Sequence, residues 1–445
     1  MKKPKIAILL EFGFHEIKKY IHSGFAIELS KEFDIVWFAM DKGSKEFHDY
    51  FTSTGFPLVY FEEKDFNKEP TFIEKYNQIV RRNWIANKSL GGFHNHSYVR
   101  RKSIKTAFYG NSLAKFILEK LTIKNVQKKY ITKVMNEKII EKNIDILFLT
   151  GYNSCFSKSF AATGIKMNKE VHYLTNSWKD LFINNFIPFT LFSTIFVWSE
   201  QMIKDFKYHM PYLKKSNFVI SGNPTFDILI GVKPFQNREF YAEKYGLPVN
   251  SKWLLYTMMP VGLVIDEIDT IQFVAQELIK KHSEEEYTII VRKNPTHSVE
   301  DFNELSLPEN MSIADHYCSY EKEKDMIVQS VEGENEWIDL LQHSELNLSA
   351  PSTVTLEFIA LNKSVINIEF NSENEVDPRV LQFFEAGFYK PLFKNGEAIR
   401  VKNSDSLITN LDNRSSGKGN EKHTSDLKSK ASNIILESLI KSHKV

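Results

Sequence analysis

Short apolar runs alternate along this chain with longer stretches of helical character. In the first half the runs fall at residues 6–12, 35–40, 58–61, 146–150, 171–175, 195–198 and 218–220, and each predicts a strand. In the second half strands are predicted at 253–257, 287–291, 346–348 and 364–370, with helices at 238–245, 268–282, 336–343 and 354–361. Strands that alternate with helices predict an α/β architecture built on parallel sheets. A turn-rich break carrying Gly231, Pro234, Gln236 and Asn237 lies near the middle. With 445 residues, too many for one ordinary core, this predicts two domains, 1–230 and 235–445. Residues 427–442 read as an amphipathic helix that closes the second domain, after a polar stretch at 413–426.

Residues 72–140 do not fit the alternation and read as a helical insertion in the first domain. Its charge sets it apart. From Lys75 to Lys133, fourteen Lys and Arg residues face one acid, Glu119, a local net charge of +13 in a chain whose total is +1. The remainder therefore carries −12. Tyr76, Trp84, Phe93, Tyr98, Phe108, Tyr109, Phe116 and Tyr130 are interleaved with the cations. This pattern suits either an anionic membrane surface or a solvated face of long helices. No zinc-finger spacing and no aromatic RNA-binding motif accompanies it, so nucleic acid is not an expected partner. His94 and His96, in a Gly-rich loop without a third ligand, read as surface residues.

Lys2 and Lys3 precede an apolar run that Glu11 soon interrupts, which reads as a first strand and not a signal peptide. Residues 181–198 are the most apolar window, but Asn184, Asn185 and Pro188 break it into a helix and a buried strand. Two cysteines, Cys155 and Cys318, make neither a disulfide framework nor a metal cluster, which fits a reducing cytosol.

The most informative stretch is 345–370, which reads as strand, small-residue turn, helix, strand. Pro351 stops the first strand, and Ser352 or Thr353 can cap the helix. A helix that opens after a parallel strand presents free N–H groups and positive dipole, which suits a phosphate. Glu357, one turn into the helix, is placed to meet the ribose of a nucleotide whose phosphate rests on the cap. An ordinary crossover with a serine cap would carry the same residues.

Several motifs resemble bacterial glycosyltransferases of surface-polysaccharide synthesis. Phe196-Val197-Trp198-Ser199-Glu200, followed by Ile220-Ser221-Gly222-Asn223-Pro224-Thr225-Phe226-Asp227, is similar to the pair of motifs that ends their N-terminal domain. Asn176-Ser177-Trp178-Lys179-Asp180 resembles another of their segments, with Lys179 where an Asp is usual. Tyr245-Gly246-Leu247-Pro248 with the following strand resembles the entry to their donor domain. Ile289-Ile290-Val291-Arg292-Lys293-Asn294-Pro295 resembles a strand end that usually carries His at the Asn294 position. The likeness spans about residues 170–395 and extends to polymer glycerophosphotransferases and UDP-N-acetylglucosamine 2-epimerases. It implies the GT-B fold, two Rossmann-like domains facing across a cleft, here with the helical insertion in the N-terminal one. It also implies a cytoplasmic enzyme at the inner face of the membrane, with a nucleotide-sugar donor and a glycan or lipid-linked acceptor.

Loss of a nucleotide leaving group needs its phosphate charge stabilised, by helix N-termini and cations where no metal serves. Ser352, Thr353, Arg292 and Lys293 lie at the ends of predicted strands, where open α/β sheets bind ligands. A base for the acceptor hydroxyl is expected from the N-terminal domain, with His15, Glu11 and Asp180 as candidates. Glu375 and Tyr389 are candidates for the donor-sugar pocket on the resemblance. A 2-epimerase of the same fold and a non-catalytic scaffold remain the alternative readings. No Asp-x-Asp pair occurs in the sequence and no metal or other cofactor is expected, so turnover should persist in EDTA. Full loss of turnover restored by magnesium or manganese would refute this.

Overall fold

The computed structural model describes residues 3–11, 16–41, 45–66, 69–87, 111–151, 154–178, 180, 192–210, 212–213, 216–264, 266–282, 286–297, 302, 306–314, 318–321, 326–385, 389–415 and 430–443. His15, Lys179, His94, His96 and the basic run from Arg100 to Lys105 lie outside the described residues. The chain forms two compact units: Met1–Ile228 with Glu321–Val328 and Lys428–Val445, and Leu229–Tyr320 with Gln329–Leu427.

The first unit is built on seven parallel strands: β1 (Lys5–Leu10), β2 (Asp34–Met40), β3 (Leu58–Phe61), β4 (Ile146–Leu149), β5 (Glu170–Leu174), β6 (Thr194–Val197) and β7 (Asn217–Ile220). Their order is β3-β2-β1-β4-β5-β6-β7. The central strands are buried along almost their whole length. That is why the sequence shows unbroken apolar runs: a parallel sheet covered on both faces has no polar side to alternate with. The helices are α1 (Phe25–Ser30), α2 (Lys45–Thr52), α3 (Phe72–Asn87), α4 (Ser112–Lys129), α5 (Lys133–Glu141), α6 (Cys155–Lys166) and α7 (Glu200–His209). Thr132, Ser154 and Ser199 cap α5, α6 and α7, each accepting a hydrogen bond from a first-turn amide. A π-helical turn, Ile17–His22, precedes α1.

The second unit carries a six-stranded sheet. Its strands are β8 (Lys252–Thr257), β9 (Tyr287–Arg292) and β10 (Met311–Ala314), then, after a separate ribbon of β11 (Cys318–Glu321) and β12 (Met326–Gln329), β13 (Leu346–Ser349), β14 (Ser364–Ile368) and β15 (Ile399–Val401). The order is β10-β9-β8-β13-β14-β15, parallel throughout. Its helices are α8 (Arg238–Tyr245), α9 (Glu267–Lys281), α10 (Val331–His343), α11 (Thr353–Ala360), α12 (Pro378–Glu385), α13 (Lys390–Lys394) and α14 (Ser404–Ser415). β10, β15 and the ribbon were not expected from the sequence. The edge strands are short and only partly buried, so they lack the apolar run that marks the inner ones. Tyr389 therefore precedes the last strand of this unit.

The remaining helix, α15 (Ala431–His443), corrects the expected domain division: it packs on α1 of the first unit and not on the second. Ile435 and Leu439 enter the same apolar core as Tyr20, Phe25, Leu29 and Trp37. Buried Asp227 holds its start, accepting from the amides of Ala431 at 2.7 Å and Ser432 at 2.9 Å. The carboxylate caps free amides and meets the positive end of the helix dipole. Asp227→Ala should cost about 1–3 kcal/mol by leaving these amides unpaired. Hydrogen exchange should show lost protection concentrated in 431–443; unchanged protection there would refute the capping role.

Candidate functional site

In an open parallel sheet the strand order reverses at one point, and the two connections there leave toward opposite faces. This opens a crevice at the carboxyl ends of the two strands. In the second unit the reversal lies between β8 and β13. The turn Ser349-Ala350-Pro351-Ser352 leaves β13 at that point and opens α11.

Buried side chains fix this turn. Asn367 Nδ2 donates to the Ser349 carbonyl at 3.1 Å, and Ser349 Oγ donates to Asn347 Oδ1 at 3.0 Å. Asn347 Nδ2 in turn donates to the Leu255 carbonyl of β8 at 3.0 Å. Tyr389 donates its hydroxyl to the Pro351 carbonyl at 3.0 Å, and burial pushes its pKa up, so it remains a donor. Ser352 and Thr355 form a loose capping box in which the Ser352 amide lies 3.5 Å from Thr355 Oγ1. Ser352 Oγ makes no hydrogen bond of good geometry among the described residues. Thr353, the first residue of α11, is exposed. The result is a helix start with its first-turn amides at the switch point, which suits an anion.

Arg292 ends β9, the neighbour of β8, and both Arg292 and Lys293 are buried, unlike a solvated strand end. The Arg292 guanidinium lies 5.8 Å from the centre of the Trp337 ring, and the Lys293 ammonium lies 5.3 Å from that of Phe302. Trp337, on α10, donates its indole N–H to Glu357 Oε2 at 2.8 Å. Glu357, expected at a ribose, therefore anchors an indole that carries the arginine. Glu375 is exposed, with its backbone in a turn closed on Asn371. Sequence reasoning missed Trp337, because an aromatic residue on an amphipathic helix reads as core. It also missed Glu267, at the start of α9, whose carboxylate accepts from the Met259 amide and the Tyr256 hydroxyl. Burial pushes the pKa of Glu267 up to about 8.

In the first unit the reversal lies between β1 and β4. Glu11 follows β1 there and accepts from the hydroxyl of Ser154, the cap of α6. The Glu11 amide donates to Glu16, which is fully buried. Lys18 and Lys19, in the π-helical turn, are both buried, a rare state for lysine. Lys19 Nζ donates to Asn176 Oδ1 at 2.8 Å, in the loop after β5. Asp180 closes that loop by accepting from the amides of Asn176 at 2.7 Å and Ser177 at 3.0 Å and from the Tyr173 hydroxyl at 3.1 Å.

The motif residues around this loop act as its frame. Trp198 Nε1 donates to the Thr175 carbonyl at 3.1 Å, and Asn223 Nδ2 donates to the Asn176 carbonyl at 3.2 Å. Burial raises the Asp180 pKa to about 6, against the pull of its amide donors, Tyr173 and Lys19. Burial lowers that of Lys19 to about 8, against Glu16 and Asp180. Both groups thus titrate near neutrality, where general acids and bases work. Nothing in the sequence marked Lys19, since adjacent lysines read as a solvated surface. Among the described residues no group of three or more His, Cys, Asp or Glu side chains could hold a metal ion.

Two parallel-sheet α/β units with these strand orders define a GT-B-type fold, and comparison with solved structures agrees. A glycosyltransferase from Rickettsia africae is similar at TM-score 0.55 and 12% identity, over 100% of this chain and 98% of that one. The UDP-GlcNAc 2-epimerase from Neisseria meningitidis, bound to UDP-GlcNAc, is similar at 0.53 and 11%, over 98% and 100%. That from Methanocaldococcus jannaschii, in complex with UDP-GlcNAc and UDP, is similar at 0.53 and 13%, over 98% and 99%. At these identities the likeness defines the fold alone. No protein-family model matches the chain. A sequence comparison with curated proteins gives no match.

Asp180 generates a pH prediction. Its pKa is about 6 when folded and 3.8 as an isolated side chain, so between these values the folded state keeps a proton that the unfolded chain has released. Stability must therefore fall as pH rises through that window, by about 3 kcal/mol from this group. Asp180→Asn removes the titration. The thermal midpoint of the variant minus that of the wild type should grow from about pH 4 to about pH 6 and then level. A difference that stays flat across the window would refute a raised pKa.

Proposed function

We propose that the protein is a nucleotide-sugar enzyme, and specifically a glycosyltransferase that moves a sugar from a nucleotide-sugar donor to a glycan or lipid-linked acceptor in surface-polysaccharide synthesis. The observation that carries this reading is the fixed turn at 349–353, which opens α11 at a topological switch point on the same sheet edge as Arg292. The donor phosphate rests on the amides of α11, with Ser352, Thr353 and the Arg292 guanidinium as further donors. These groups stabilise the charge of the departing nucleotide, and the donor itself supplies the nucleotide, so no cofactor takes part. In the first unit Asp180 or Glu11 receives the proton of the acceptor hydroxyl, and Lys19 holds the local charge balance. The enzyme works at the cytoplasmic face of the membrane, where lipid-linked acceptors are presented. Among the described residues no helix is long and apolar enough to cross it.

A second reading, a nucleotide-sugar 2-epimerase, is favoured by the solved structures of similar fold, several of which are UDP-GlcNAc 2-epimerases. The two readings separate in one experiment. A panel of nucleotide sugars is incubated with and without lipid-linked acceptors, and both free nucleotide and the recovered sugar are analysed. A transferase releases nucleotide in an acceptor-dependent manner; an epimerase returns the nucleotide sugar with inverted C2 in the absence of acceptor. Neither change with any donor would sink the enzymatic reading.

The binding site has its own test. Arg292→Ala combined with Thr353→Ala removes charge-assisted contacts of about 1.5–3 kcal/mol each, so nucleotide affinity measured by calorimetry should fall at least about tenfold. Unchanged affinity in the folded double variant would place the phosphate elsewhere.

A further inference from the structure

Helix α4 is packed inside out. It lies against α3 and α6, and among its described residues the side chains that are fully buried are polar. Lys115 and Glu119 are buried and paired at 2.8 Å. Thr122, fully buried, accepts from Asn77 Nδ2 at 3.1 Å. The outward side chains include Leu113, Phe116, Ile117 and Leu121, with exposures of 67%, 41%, 49% and 45%. Their spacing puts them on one face of the helix. A surface helix ordinarily buries its apolar stripe. Here an ion pair and a hydroxyl have been taken out of water while four large apolar side chains stay in it, both at a cost.

The outward face also carries a charge signature. Lys120 lies 4.4 Å over the Phe116 ring, and Lys124 and Lys128 are exposed further along the helix. The sequence of α4 holds one acid, Glu119, and it points inward. We propose that this face docks on an anionic phospholipid surface, with Phe116, Ile117, Leu113 and Leu121 entering the headgroup boundary and Lys120, Lys124 and Lys128 meeting the phosphates. An apolar face continued along the helix by long cations fits a bilayer surface, because lysine stems cover apolar area while their ammonium groups reach the headgroups. The excess of cations selects the anionic leaflet. The docking face is independent of the nucleotide chemistry above.

The test uses the full chain and vesicles of phosphatidylcholine alone or mixed equally with phosphatidylglycerol. The wild type should co-sediment with the mixed vesicles, less so at high salt, and not with the neutral ones. Phe116→Ser with Leu121→Ser should lower partitioning about tenfold or more. Lys120→Glu with Lys124→Glu and Lys128→Glu should abolish it. Both variants change exposed side chains, so their thermal midpoints should match the wild type. Absence of wild-type binding, equal binding to both vesicle types, or binding unaffected by either variant overturns the proposal. So does a dimer in sedimentation velocity that Phe116→Ser with Leu121→Ser dissolves while vesicles are ignored, which would assign the face to a second copy of the chain.

Discussion

The inner strands of both sheets are covered on two faces, and this constraint arranges everything else. A strand buried in this way gives most of its length to packing, as Ile6 to Leu10 and Ile289 to Val291 do. Polar groups that can meet a ligand gather at the carboxyl ends, where the backbone leaves the sheet. Glu11, Asp180, Asn223, Arg292 and Ser349 all stand at or just beyond such ends. The reversal of strand order then selects, within each sheet, which two ends open into a crevice. In the second unit the turn at the reversal is held by buried side chains.

How they are held differs between the units. In the second, neutral groups do the work: Asn347, Asn367, Ser349 and Tyr389 close the turn before α11 through donors and acceptors without net charge. Glu267, joined to it through Tyr256 of β8, is itself pushed toward its neutral form. A site of this kind keeps its own charge low and can receive an anion without repulsion. In the first unit the edge is crowded with opposite charges, Glu11, Glu16, Lys18, Lys19 and Asp180, all close to the π-helical turn or the loop after β5. Burial draws the pKa values of Asp180 and Lys19 toward each other, which leaves a small free-energy gap between their protonation states. The first arrangement suits binding, the second proton transfer.

Much of this was legible in the residue pattern. All seven strands of the first sheet could be read, since buried strands in a parallel sheet are written as apolar runs. The turn at 349–353 was equally legible, because Pro351 and Ser352 have a local mechanism that does not depend on distant partners. What could not be read was burial decided by tertiary neighbours. The Lys115–Glu119 spacing reads as an exposed pair on a helix surface, yet both side chains are inside. Lys19 and Trp337 gain their meaning from Asn176, Arg292 and Glu357, which lie far away in sequence. The edge strands β10 and β15 escaped because an edge needs less apolar sequence than a centre. Helix α15 escaped as a member of the first unit because an amphipathic face does not name the surface it will meet.

That helix has a consequence for the order in which the molecule is made. The second unit is, in chain terms, an insertion within the first, whose core takes Ile435 and Leu439 from beyond it. A ribosome that has delivered every strand of the first sheet has still not delivered the piece that covers α1. Until residues 431–443 emerge, the apolar surface around Phe25 and Leu29 stands open through the whole synthesis of the second unit. The first unit to be translated is therefore the last to be finished.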